Sequence, residues 1–296
     1  MRILIIAATH GNELLGIKLY QKLMSLRSPL LEHIDFMIGN PRAFSARTRY
    51  TECDLNRSYR SEGMRYEERR AREIERYIAT TRPDIILDMH TTSCTQPNCL
   101  IVAATDGTMR QRFLRACHID TVLQVHSLND IASIGDAVVG YEVPNAHITP
   151  KLLDAIIEDL RRFVTDESPP ATKHLYQMID KIYKRDVSAD QAKSFVNFQM
   201  HELGFVPIMT GENSYKKQTD YLGFKASKRA RENYAIMKTT MSNPVILTGI
   251  RANNDIHIGN YFGAIRPIVD MAVRHADEHQ VNLFIPDLHS FTTPVE

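Results

Sequence analysis

Ile3-Leu4-Ile5-Ile6-Ala7-Ala8-Thr9-His10-Gly11-Asn12-Glu13 opens the chain and decides its fold. The run Ile3 to Ala8 is short, uninterrupted and apolar, as expected of a buried strand, and it breaks into a polar motif that opens a helix. It is too short for a signal peptide and leads into no small-residue cleavage site. Working outward, a helix is expected over Glu13 to Leu26, and further strands over Ile34 to Ile38, Ile85 to Met89, Leu100 to Ala104 and Val138 to Val143. Arg65 to Thr80 and Pro150 to Thr165 read as helices. Short apolar runs alternating with amphipathic helices describe an α/β sheet with crossover connections. Within Arg65 to Thr80, the i,i+3 pairs Glu67 with Arg70 and Glu73 with Arg76 predict a solvated, ion-paired face.

The chain has 296 residues, 43% hydrophobic and 24% charged, which excludes a disordered tail protein or a fibre. Its 36 basic and 35 acidic side chains leave a net charge of +1, so no field of one sign draws it to nucleic acid or anionic membrane. No apolar stretch reaches the roughly 18 residues of a membrane span. Cys53, Cys94, Cys99 and Cys117 form no C-x-x-C pair, which predicts reduced thiols in a cytoplasmic protein and argues against cysteine ligands to zinc. Length alone suggests about two domains. Ser168-Pro169-Pro170 marks a boundary near 167, giving a catalytic domain at 1–167 and a small β-rich domain at 168–240. A fresh strand-like run, Val245-Ile246-Leu247, follows Met241-Ser242-Asn243-Pro244 and starts a third segment at 241–296.

The chemistry gathers at strand ends. His10 and Glu13, three apart where the first strand opens onto a helix, can turn toward one point, and imidazole with carboxylate is a common zinc pair. A catalytic zinc needs a third protein ligand and one position left for water. Asp88-Met89-His90-Thr91-Thr92 supplies it: in a strand, alternate residues share a face, so His90 points with Asp88, one as ligand and the other as its outer partner. Each motif alone also fits hydrogen-bonded structural histidines.

The text between these motifs is Gly39-Asn40-Pro41-Arg42-Ala43, Thr48-Arg49-Tyr50 and Cys53-Asp54-Leu55-Asn56-Arg57. Taken together over about residues 2–230, the stretches resemble the aspartoacylase and succinylglutamate desuccinylase family, whose members carry HGNE, NPRA, Arg-Tyr, DLNR and D-hydrophobic-H-T-T in this order. The resemblance implies the three-layer α/β mixed sheet of zinc carboxypeptidases with a small β-rich second domain. It implies one Zn2+ per chain held by His10, Glu13 and His90, with Arg49 polarising the scissile carbonyl and Asn56 and Arg57 clamping the substrate's α-carboxylate. A guanidinium suits that clamp because its planar fork meets a carboxylate in two hydrogen bonds. Gly140-Tyr141-Glu142-Val143-Pro144 is similar to the family's G-x-E-V-G, which makes Glu142 the group that takes a proton from the attacking water and delivers it to the leaving amine. Glu212-Asn213-Ser214-Tyr215-Lys216-Lys217 is similar to N-E-A-x-Y-x-K-K and places Tyr215 over the substrate carboxylate.

One departure bears on the substrate. The family's tyrosine and arginine that hold an acidic side chain correspond here to Leu128 and Ala132. The expected activity is therefore deacylation of a small-molecule N-acyl amino acid, with N-acetyl-aspartate the family example and the acyl group and side chain left open. A zinc carboxypeptidase is the neighbouring alternative. No membrane or nucleic-acid partner is expected, and homo-oligomerisation is left open.

The last segment reads differently. Thr248-Gly249-Ile250-Arg251 followed by His257-Ile258-Gly259-Asn260 suits a strand, a glycine turn and a helix N-terminus that cradles phosphate. This resembles the start of tryptophanyl-tRNA synthetase, a class I synthetase with a HIGN form of its signature, and Phe284-Ile285-Pro286-Asp287-Leu288-His289-Ser290 resembles the next strand. The resemblance implies a partial Rossmann-like strand-helix-strand appendage with vestigial nucleotide-binding positions at His257, Gly259 and Asn260. The string Lys225-Ala226-Ser227-Lys228 precedes HIGN and is no lysine loop of that enzyme, so tRNA ligation by this chain is not expected.

Overall fold

The computed structural model describes residues 1–125, 137–168 and 171–229, with short pieces at 232–234, 245–249, 266–267, 269–270 and 280–284. The chain divides into two units, Met1–Ile236 and Met237–Glu296.

The first unit starts with β1 (Ile3–Ala7), α1 (Leu15–Ser25), β2 (Ile34–Ile38), α2 (Pro41–Ala46) and α3 (Tyr66–Thr81). Next come β3 (Ile85–Thr92), β4 (Cys99–Val102), α4 (Thr108–Ala116), β5 (Thr121–Gln124), β6 (Val138–Pro144) and α5 (Pro150–Thr165). It ends with β7 (Ala171–Tyr183), α6 (Ala189–Ser194), β8 (Val206–Ile208), α7 (Asn213–Gln218), β9 (Tyr221–Lys228) and β10 (Glu232–Tyr234). One mixed sheet takes the order β2-β1-β3-β6-β4-β5-β7-β9-β8, with β10 also paired to β7. Strands β2, β1, β3 and β6 are parallel, β4 turns antiparallel to β6, and β9 and β8 are antiparallel to their neighbours.

Alternation along β1 builds the layers. Ile3 and Ile5 pack with Leu15 and Leu19 of α1 and Ile156 and Leu160 of α5, whereas Leu4 and Ile6 pack with Ala71 and Ile74 of α3. Helices therefore cover both faces, as a parallel sheet requires. Helix α5 has the ends its sequence calls for: Thr149 caps the Leu152 amide at 3.2 Å, Pro150 occupies the first turn, and Asp166 closes it in the left-handed region at φ 60°. At the far edge, β8 is three residues long with Pro207 at its centre, and the Pro207 carbonyl accepts the Phe198 amide at 2.9 Å.

The structure differs from the sequence reading in the following places. Helix α1 begins at Leu15, because Glu13 sits in a turn whose amide donates to the His10 carbonyl at 2.9 Å. Glu67 of α3 lies on no solvated face: it is fully buried, and Arg70 pairs with Glu73 at 2.9 Å while donating to the carbonyls of Ile38 and Gly39. Helix α4 carries three arginines and β5 only four residues, so neither shows an apolar run, yet Arg110 and Arg115 of α4 are buried. The boundary expected near 167 falls between α5 and β7, and the sheet continues across it, since β7 pairs with β5 in parallel.

In the second unit, β11 (Val245–Gly249) and β12 (Gln280–Phe284) form a parallel pair. No helix among the described residues is long and apolar enough to cross a membrane.

Candidate functional site

The site forms where β1, β3 and β6 end, on the face of the sheet that α3 covers. β1 is followed by Ala8 at φ 54°, a left-handed conformation unusual for an L residue, which turns the chain sharply into Thr9 and His10. Gly11 then lies so close to α2 that a Cβ would sit 2.1 Å from the Ala43 carbonyl carbon, so only glycine fits. Its amide donates to the Arg49 carbonyl at 3.1 Å.

His10, Glu13 and His90 are all buried, and their ligand-type atoms lie within 4.8 Å of one another. His10 Nδ1 is 2.7 Å from Glu13 Oε1, and His90 Nδ1 is 3.0 Å from Glu13 Oε2. Each ring's far nitrogen faces a carboxylate, His10 Nε2 toward Asp54 at 3.1 Å and His90 Nε2 toward Asp88 at 2.7 Å. Thr9 donates to Asp88 at 2.7 Å and so fixes the carboxylate that fixes His90. Two imidazoles and a carboxylate converging through one face, with carboxylates behind them, form a group that could hold a metal ion. The second group of ligand-type atoms, Cys117, His118 and Asp159, has a structural explanation. Asp159 accepts from the His118 amide and ring, and the buried Lys173 ammonium is bonded to the adjacent Cys117 carbonyl. All four cysteines are free thiols, and burial pushes that of Cys94 up to about 12.

Electrostatics follow the contacts. Burial opposes charge on His10, but the Glu13 charge and bonds to Asp54 and Glu13 outweigh it and raise the imidazole above its usual range. His90 is raised well above it, against burial, by Asp88 and Glu13. Burial works to raise Glu13 and Asp54, yet histidine contacts hold both carboxyls well below the usual range.

The loop from Arg49 to Arg57 supplies the cations. Arg49 lies 3.3 Å from Asp54 and 3.8 Å from Glu13. Asp54 also accepts the Asn56 amide at 2.9 Å, and the Asn56 Oδ1 is buried without a hydrogen-bond partner in the structure. Arg57 is exposed and donates to the Asn56 carbonyl at 3.2 Å. Glu67 anchors this loop from below, accepting the amides of Thr51, Glu52 and Cys53, the Thr51 hydroxyl and the Asn40 amide group at 2.7–3.2 Å. Burial would raise its carboxyl, and these donors lower it instead. Sequence reading missed both supports. Asp54 could have been found from its place two residues before Asn56, whereas Glu67 looks like any first-turn helix acid.

Strand register brings Glu142 in: β6 runs beside β3 with Glu142 opposite His90. Withdrawal from water raises its carboxyl to about 8; His90 opposes that shift and Glu13 adds to it. From the other side, α7 delivers Tyr215, packed against Tyr221 and Phe224. Glu212 ties this helix to β3 by accepting from Thr92 at 2.6 Å and Ser93 at 2.8 Å, and Lys184 holds its far end by donating to the carbonyls of Tyr215, Lys216 and Thr219. Neither support was read from the sequence.

His10, Glu13, Arg49, Asn56, Arg57, His90, Glu142 and Tyr215 line one cavity of about 810 Å³, part of it open to solvent. Leu128, Ala132, His257, Gly259 and Asn260 lie outside the described residues.

Comparison with known proteins agrees with this geometry. Residues 1–146 match the family described as succinylglutamate desuccinylase/aspartoacylase catalytic domain. Aspartoacylase of Rattus norvegicus is 27% identical over 249 residues, covering 71% of this chain and 79% of that protein. Murine aminoacylase 3 superposes with a TM-score of 0.59 at 19% identity, over 79% of this chain and 97% of the other. Succinylglutamate desuccinylase from Chromobacterium violaceum superposes with a TM-score of 0.61 at 17% identity, over 77% and 85%. The sequence match supports the family, and the structural matches show the same mixed α/β fold.

Proposed function

We propose that this protein is a zinc-dependent amidohydrolase that cleaves an N-acyl amino acid to a carboxylate and a free amino acid. The observation that carries the reading is the convergence of His10, Glu13 and His90 on one point, with Glu142 in register beside His90 in the same cavity. The names of the matched family and relatives, aspartoacylase and succinylglutamate desuccinylase, point the same way.

His10, Glu13 and His90 would hold the ion; when bound, it supplies Lewis-acid polarisation and makes water acidic near neutral pH. Glu142 accepts the proton of the attacking water as its oxygen bonds to the acyl carbon, then gives that proton to nitrogen as the C–N bond breaks. A carboxyl raised by desolvation suits both halves of that transfer, and a cation nearby draws it back toward the ionised form. Arg49 donates to the carbonyl oxygen as negative charge grows there. Asn56, Arg57 and Tyr215 orient the substrate through its α-carboxylate.

Elemental analysis of protein purified without a metal-affinity tag, combined with a free-amine release assay on N-acyl amino acids, tests the reading. About one zinc per chain is expected. Glu142→Gln is expected to keep the metal and lose about 100- to 10,000-fold in kcat. Absence of zinc, or release indifferent to Glu142→Gln, overturns it.

A further inference from the structure

The cavity has two unlike walls. Among the described residues lining it, Arg49 and Arg57 are the only side chains of fixed positive charge. Arg49 is engaged by Asp54 and Glu13, while the Arg57 contact is a neutral carbonyl. That leaves one guanidinium for one substrate carboxylate. The acidic side chains Glu13, Asp88, Glu142 and Glu212 line the same space and offer no positive charge to a further anion.

The other wall is made by Ile101, Val125, Met178, Met209 and Phe224, contributed by β4, β7 and β9 and by the residues that follow β5 and β8. They belong to, or pack against, a single hydrophobic cluster, so none brings a side-chain hydrogen-bond donor to the cavity surface. A second carboxylate against this wall would be desolvated without a partner.

We infer, resting on the hydrolase reading, that the substrate class is N-acyl amino acids with one carboxylate and an otherwise apolar body, in both side chain and acyl group. The apolar wall receives that body, and dicarboxylates are excluded by unpaired charge and not by size.

The test uses the full chain loaded with zinc. Amine release is measured on N-acetyl-leucine, N-acetyl-aspartate and N-succinyl-leucine, and calorimetry measures binding of leucine and aspartate to the loaded and metal-free protein. N-acetyl-leucine is expected to exceed both others in kcat/KM by about 100-fold or more. Met178→Arg is expected to shift the leucine-to-aspartate ratio at least about tenfold toward aspartate by placing a cation in the wall. Turnover that favours N-acetyl-aspartate or N-succinyl-leucine, or treats all three alike, overturns the inference and leaves the hydrolase reading standing. No release from any of them, with leucine still bound more tightly than aspartate, supports the apolar class while the hydrolase reading fails. Release of nothing and binding of neither amino acid overturns both.

Discussion

The wall on β1, β3 and β6 and the wall on β4, β7 and β9 share a cavity but are specified by different physics. On the first, chained polar contacts fix position: Thr9 holds Asp88, Asp88 holds His90, and Glu13 lies between His90 and His10, with Asp54 behind. On the second, Val125, Met209 and Phe224 are at most 8% exposed and pack in one hydrophobic cluster, with the Tyr215 hydroxyl donating to the Met209 sulfur at 3.9 Å. Directional contacts set atoms to tenths of an ångström and tolerate little substitution, whereas packed apolar surfaces accept changes of similar volume. Chemistry should therefore reside in one wall, and stability with substrate choice in the other.

His90→Ala offers the strongest challenge to this division. Metal content should fall well below one ion per chain and amine release to background. Retained metal and turnover would show that the polar wall is not the metal site. Phe224→Ala reverses the pattern: a loss of about 3–5 kcal/mol in chemical denaturation is expected, because a nearly fully buried ring leaves a cavity, with zinc still bound. Loss of metal in that variant before loss of fold would merge the two walls into one unit.

Glu67→Gln sharpens the comparison with a smaller effect. The amide keeps the size but cannot accept from all the donors that Glu67 serves, and a cost of about 1–3 kcal/mol at neutral pH follows. Because the folded state lowers this carboxyl, its contribution is present above the ordinary value of 4.5 and is lost as pH falls through the lower folded value. The stability gap between wild type and Glu67→Gln should narrow over that acid range in pH-dependent denaturation. A gap independent of pH would mean that the carboxylate's charge contributes nothing. A rise in KM exceeding any fall in kcat would show that the loop with Asn56 and Arg57 is what Glu67 positions.

The polar wall was largely legible in the sequence and the apolar wall was not. Strand-end motifs such as His10-x-x-Glu13 and Asp88-x-His90 carry their geometry locally, since strand alternation and one turn decide where the side chains point. Most strands and helices of residues 1–165 lie where periodicity puts them, within a few residues. The exceptions share a cause: Glu67, Asp54 and Lys184 act on backbone groups of other segments, which composition and spacing along their own segment do not reveal. Likewise, nothing in the sequence around Met178 and Phe224 marks them as lining the same cavity as His10, Glu13 and His90, which they do once β7 and β9 pair. The continuity of the sheet past residue 167 is equally invisible, because a proline-rich turn looks the same whether it separates domains or two strands of one sheet.

The three-residue strand β8 has a consequence for solubility. A long sheet leaves two rims where another chain could add a strand and start an aggregate. At this rim Pro207 has no N–H to offer, and the Phe198 amide already occupies its carbonyl. Pro207 therefore opposes growth of the sheet by strand addition at this rim.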